Sequence, residues 1–101
     1  MKVLRMAATE LKRYFIKPDT WDEFLDVMRR IVKIRVRHGF GVVFAFADRE
    51  TNVFTWAVNH PGDFDAAAKA YYDDPDRVEL KIVEDYVTDY EIRKVELVQL
   101  I

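Results

Sequence analysis

Residues 40–58 are apolar on both faces of what reads as a β-hairpin. Strand alternation places Val42, Phe44 and Phe46 on one face of its first arm, and Val43, Ala45 and Ala47 on the other. An antiparallel strand normally keeps one face wet, so a strand dry on both sides predicts two covers. The chain's own helices supply one, and a second copy of the chain is expected to supply the other. Residues 48–52 form a polar turn, after which Phe54, Trp56 and Val58 share one face of the returning strand.

The flanking pattern predicts the remaining elements. Residues 10–16 mix aromatic and branched side chains with charges and stop at Pro18, which suits a first strand. Asp19 and Thr20 are good N-cap residues, and Trp21, Phe24, Leu25, Met28, Ile31 and Val32 then recur at helical spacing. Residues 32–37 also alternate as a strand would. The helix is preferred because the stripe runs on for three turns and Gly39 sits where a left-handed residue would end it. Asp63 can cap a second helix with Phe64, Ala67, Ala68, Tyr71 and Tyr72 on its apolar side, and Pro75 stops or bends it. A short helical stretch over 76–85 follows. Residues 88–101 read as a long last strand, with a slip of parity between Ile92 and Val95 that suggests a bulge. The order is βαββαβ in a single domain spanning residues 1–101.

Glu10-Leu11, Arg13, Tyr14 and Lys17-Pro18, then Trp21 and Phe24-Leu25, His38-Gly39-Phe40, Phe54 and Trp56, and Asp74-Pro75, together resemble the NIPSNAP family of the dimeric α+β barrel superfamily. The resemblance implies an α+β, ferredoxin-like monomer with an antiparallel sheet, two of which pack sheet to sheet into a dimeric barrel. It also implies a range of activities, since relatives include monooxygenases, isomerases, cyclases and proteins without assigned activity. Two positions depart from the family pattern: Val58 stands where a tyrosine is common, and Asp76-Arg77 replaces an acidic-tryptophan pair. Roles tied to those residues do not carry over.

Composition narrows the function classes. Half of the 101 residues are hydrophobic and 14% are aromatic, enough for a packed core. The net charge of -2, with both signs interspersed, disfavours a nucleic-acid partner. The octet from His38 to Ala45 has glycines placed like those of an RNA-recognition motif, but Val42 and Ala45 stand where stacking aromatics belong. The absence of cysteine removes disulfides, thiolate metal sites and cysteine nucleophiles, and agrees with a reducing cytoplasm. The N-terminal residues lack the apolar length of a signal peptide, and no run approaches the roughly twenty residues of a transmembrane helix. The expected protein is cytoplasmic and does not enter the membrane.

Candidate chemistry then rests on few residues. His60 follows the third strand with Asp63 three residues on, an arrangement that fits either a base with its orienter or a wet histidine beside a helix cap. His38 fits a general base or a charge at a helix end. Tyr14 and Trp56 each join an aromatic body to a polar tip, which suits either a small-molecule pocket between sheet and helices or the core, the latter being the expectation for Trp56. Arg35 interrupts the apolar side of the first helix, where it can clamp an anionic substrate or reach out to solvent. Tyr71 and Tyr72 read as packing. Two histidines without cysteine disfavour a closed zinc site, and no feature selects a cofactor. The sequence therefore predicts a homodimer with a pocket for an apolar or aromatic metabolite. In it His60 takes a proton, Tyr14 donates a hydrogen bond, Phe44 and Trp56 exclude water, and Arg35 and His38 bind substrate. A dimeric scaffold without chemistry is the alternative.

Overall fold

The computed structural model describes residues 8–101. Residues 1–7, which carry most of the segment read as too weakly apolar for a signal peptide, lie outside the described residues. The strands are β1 (Ala8–Ile16), β2 (Gly41–Asp48), β3 (Val53–His60) and β4 (Val87–Val95). The helices are α1 (Trp21–Arg37), α2 (Phe64–Asp73) and the single turn α3 (Pro75–Val78), followed by a 3-10 segment at Lys81–Tyr86. All strand pairs are antiparallel in the order β2-β3-β1-β4, the ferredoxin-like α+β arrangement. Among the described residues no helix is long and apolar enough to cross a membrane.

Helix α1 packs across one sheet face because Phe24, Met28, Ile31 and Arg35 recur every three or four residues and fall on one side. Its start differs from the expected cap. Asp19 is left-handed (φ 67), and the Thr20 hydroxyl turns back to donate to the Lys17 carbonyl at 2.7 Å, so neither side chain caps the helix. Its end is as expected. Gly39 has φ 87, and the Phe40 N–H returns to the Arg35 carbonyl at 3.1 Å, closing a Schellman-type turn. Glycine is required twice over, because a Cβ here would also lie 2.8 Å from His60 Nε2.

The core forms where α1 meets the sheet. Phe24 is fully buried and packs in T-shaped contacts with Tyr14, Trp21 and Phe54, with ring centroids 5.2–6.2 Å away. Asp63 caps α2 by accepting from the Ala66 N–H at 3.0 Å, so it is committed to the helix and does not orient His60.

Two strands depart from the pattern read in the sequence. In β2 the register shifts between Val42 and Phe44: Val42 pairs with Val58, whereas Phe44 pairs with Ala57. Val43 is the extra residue of a bulge, so Val42 joins Ala45 on the helix side while Phe44 and Phe46 point from the opposite, open side. The three residues therefore do not share one face. In β4 the pairing runs without a break from Ile92 opposite Lys12 to Val95 opposite Thr9, so the expected slip there is absent and the irregularity sits beside Phe15 and Ile16 instead. The helix side of this strand end is closed by Lys94, whose Nζ lies 3.2 Å from the Phe64 ring centroid and pairs with Asp65 at 3.3 Å. The strand ends at Val95 rather than continuing to the last residue.

Candidate functional site

A cavity of about 560 Å³ opens between the helix side of the sheet, α1, α2 and β4. Its position follows from three local patterns. Alternation along β1 and β3 turns Tyr14 and Trp56 inward, the α1 stripe delivers Met28, Ile31 and Arg35, and α2 supplies consecutive Tyr71 and Tyr72 near its end. Glu84, Asp89 and Tyr90 form an exposed rim.

Polar groups converge at the inner end, where the buried Lys12 and Arg35 meet the hydroxyl of Tyr72, a residue 47% exposed. Lys12, on the Tyr14 side of β1 and 1% exposed, pairs with Glu10 at 3.0 Å and donates to the Tyr72 hydroxyl at 3.4 Å. Arg35 does not reach solvent: it is 1% exposed, and its Nη2 donates to the same hydroxyl at 3.2 Å. Its guanidinium carbon lies 3.9 Å from the Tyr71 ring centroid and 4.7 Å from that of Phe40, so ring faces hold the cation. Arg77 Nε donates to the Tyr71 hydroxyl at 2.7 Å. Among the described residues, Arg35 Nε and Nη1 and Trp56 Nε1 have no hydrogen-bond partner. The indole N–H leans toward the Tyr14 oxygen, without the distance or angle of a formed bond.

The three tyrosines are driven apart in acidity. Burial pushes the Tyr14 hydroxyl well up, and burial likewise raises Tyr71 against the opposing pull of Arg35 and Arg77. Burial also acts to raise Tyr72, but Lys12, Arg35 and Arg77 outweigh it and leave that hydroxyl below its ordinary value. Tyr72 thus parts with a proton more readily than its neighbours.

The residues expected to form one site are divided. Tyr14, Trp56 and Arg35 meet at the cavity, whereas Phe44, His38 and His60 are not among its walls. Phe44 lies on the other face of the sheet, carried there by the bulge at Val43. His60 Nδ1 accepts from the Gly62 N–H at 3.0 Å and Nε2 donates to the His38 carbonyl at 3.0 Å, so both ring nitrogens are engaged in holding the Gly39 turn against β3. His38 Nε2 meets Asp74 Oδ2 at 2.8 Å, alongside Arg37 at 2.7 Å, and ties the end of α1 to the α2–α3 junction. Lys12 and Tyr72 join the site beyond the residues that the sequence singles out for it. Lys12 shares the inward parity of Tyr14 and Ile16, a lysine on the dry side of a strand, and that was the available signal.

The Asp74 cluster has a pH signature. His38 first, then the Asp76 N–H and Arg37, hold the Asp74 carboxyl below its ordinary 3.8, at about 2. A carboxyl depressed by folding adds stability that is complete above its unfolded value and disappears as pH falls toward the folded one. Asp74→Asn is therefore expected to remove the part of the acid destabilisation that falls between about pH 4 and about pH 2. Thermal melts across that window check it, and a variant retaining the wild-type slope would remove this cluster from the acid response.

Among the described residues no group of three or more histidine, aspartate or glutamate side chains is placed to hold a metal. No family model and no curated protein matches the chain in sequence. Solved structures do match its fold. A NIPSNAP family protein of unknown function from Agrobacterium tumefaciens superposes with a TM-score of 0.82 at 15% identity, over 93% of this chain and 90% of that one. The chain has a NIPSNAP-like fold. An uncharacterised NIPSNAP domain protein from Burkholderia xenovorans gives a TM-score of 0.75 at 14% identity, over 93% of this chain and 97% of that one. A putative antibiotic biosynthesis monooxygenase from Bacteroides thetaiotaomicron gives 0.69 at 23% identity, over 93% and 90%. At these identities the NIPSNAP-like likeness speaks for the fold, and function has to be argued from the cavity.

Proposed function

We propose that this chain is a small-molecule pocket protein that works as a cytoplasmic homodimer of the α+β barrel type. Its ligand is an apolar or aromatic metabolite bound between sheet and helices. The observation that carries this reading is the cavity of about 560 Å³, within the usual size of small-molecule sites, with aromatic walls and a few convergent polar groups. Tyr14, kept protonated by burial, donates a hydrogen bond to a ligand oxygen. Tyr72, made more acidic by the surrounding cations, is the group suited to exchange a proton, and Trp56 keeps water out. Such a pair suits reactions of the isomerase, cyclase or cofactor-independent monooxygenase kind. The homodimer reading draws on the open sheet face, where Phe44 and Phe46 stack on each other at 5.6 Å and remain 37% and 57% exposed.

A thermal-shift screen of planar aromatic metabolites tests the pocket. Hits should raise the melting temperature of the wild type by several degrees and lose this effect in Ile92→Trp, which fills the cavity. Tyr14→Phe should weaken oxygen-bearing hits about 5- to 10-fold, the size of one hydrogen bond. Hits indifferent to Ile92→Trp would place binding elsewhere and sink the reading. Both histidines are engaged in structural bonds, and this favours as second reading a binding module without chemistry. Hits recovered unchanged after long incubation with the protein would select it.

A further inference from the structure

We propose that the inner end of the cavity is a carboxylate subsite, so that the natural ligand is a planar apolar acid rather than a neutral molecule. This rests on the pocket reading above and adds the charge of the occupant.

The inner end holds cations without an equal number of anions. Lys12 is neutralised by Glu10, which also faces Lys94 at 3.7 Å. Arg35 is as deeply buried as Lys12, yet no carboxylate pairs with it among the described residues, and two of its three nitrogens have no acceptor. The rings of Tyr71 and Phe40 stabilise its charge without cancelling it. A buried cation left uncompensated is unfavourable, and an anion arriving beside it relieves that cost.

The hydrogen-bond inventory points the same way. The Tyr72 oxygen already receives Arg35 Nη2 and Lys12 Nζ, so its own hydrogen is free to be given away. Trp56 Nε1, which leans toward the Tyr14 oxygen, is a second donor without a formed bond among the described residues. The acidic wall residues Glu84 and Asp89 stand at the exposed rim, where water screens them. A carboxylate at the inner end would accept from the Tyr72 hydroxyl. Arg35 and Lys12 act behind it as positioning residues that make this hydroxyl a stronger donor.

Calorimetric titration with 2-naphthoate and 2-naphthamide, which share ring and shape and differ in charge, is the test. Wild type is expected to bind the acid at least ~10-fold more tightly than the amide, about 1.4 kcal/mol. The gap should close in Arg35→Met, survive in Arg35→Lys, and narrow in Tyr72→Phe. Equal or weaker binding of the acid by the wild type overturns the carboxylate subsite while leaving the pocket reading in place. Binding of neither probe overturns both. Because this comparison is made on the unaltered protein, it decides the matter even if Arg35→Met fails to fold.

Discussion

Replacing Phe44 and Phe46 together by aspartate is expected to leave a folded monomer in place of the dimer proposed for the wild type. The two rings stack on the open face of β2, and across that face lie Leu11 and Phe15 of β1 with Val53, Thr55 and Ala57 of β3. An interface of standard size takes roughly 800 Å² from each partner, and a few central aromatic residues carry most of its affinity. Truncation of one such ring commonly costs about 2 kcal/mol, and a twofold axis doubles every substitution. Four aspartates brought into one buried patch add unpaired charge to the lost contacts. Dissociation should be favoured on the order of 10⁴-fold or more, which is about 5.5 kcal/mol or above. Light scattering at micromolar protein should report the change of mass while circular dichroism stays unchanged, since neither ring belongs to the core between sheet and helix. A variant that remains dimeric would move the interface elsewhere. A wild type that is itself monomeric would remove the barrel.

Phe24→Ala is expected to be the most damaging single core substitution. Its side chain is fully buried between α1 and the sheet, with three aromatic neighbours meeting it edge to face. Removing a buried phenylalanine commonly costs about 3–5 kcal/mol, from lost transfer energy and from the void left behind. A domain of this size has only about 5–15 kcal/mol in total. Each kcal/mol is worth roughly 4–8 °C of melting temperature here, so a fall of at least about 12 °C should appear in a thermal melt. The same change removes the ring packed against Tyr14, so any aromatic ligand should bind less tightly even at temperatures where the variant is folded. A loss below about 1.5 kcal/mol would mean that α1 collapses onto the sheet and refills the space.

Local patterns carried much of the architecture. The α1 stripe, the left-handed Gly39, the hairpin turn and the Asp63 cap were each legible because each depends on residues within a few positions of one another. The Val43 bulge was not, since alternation is blind to an unpaired residue and a one-residue slip exchanges the faces beyond it. Thus Phe44 was paired with Trp56 in the expected site and stands on the opposite face of the sheet. The last strand is shorter than its pattern predicts: Val98, Leu100 and Ile101 keep an apolar rhythm, but among the described residues the pairing with β1 runs as far as Thr9 opposite Val95. Tyr14, Trp56 and Arg35 were found as candidates because an aromatic or a cation on a dry face is visible by parity alone.

By itself, then, the sequence determined the element types and order, the dry faces of α1 and β3, and a short set of polar residues pointed inward, all of them consequences of period and capping. Tertiary structure alone decided which of these residues meet. Lys12 and Tyr72 are 60 residues apart, Arg35 and Tyr72 are 37 apart, and the hydroxyl that joins them sits on a helix whose tyrosines read locally as packing. The same folding engaged both histidines around the Gly39 turn and the α2–α3 junction and kept them out of the cavity. Such meetings are set by how helices settle on a twisted sheet, a non-local balance of packing that no periodicity along the chain encodes.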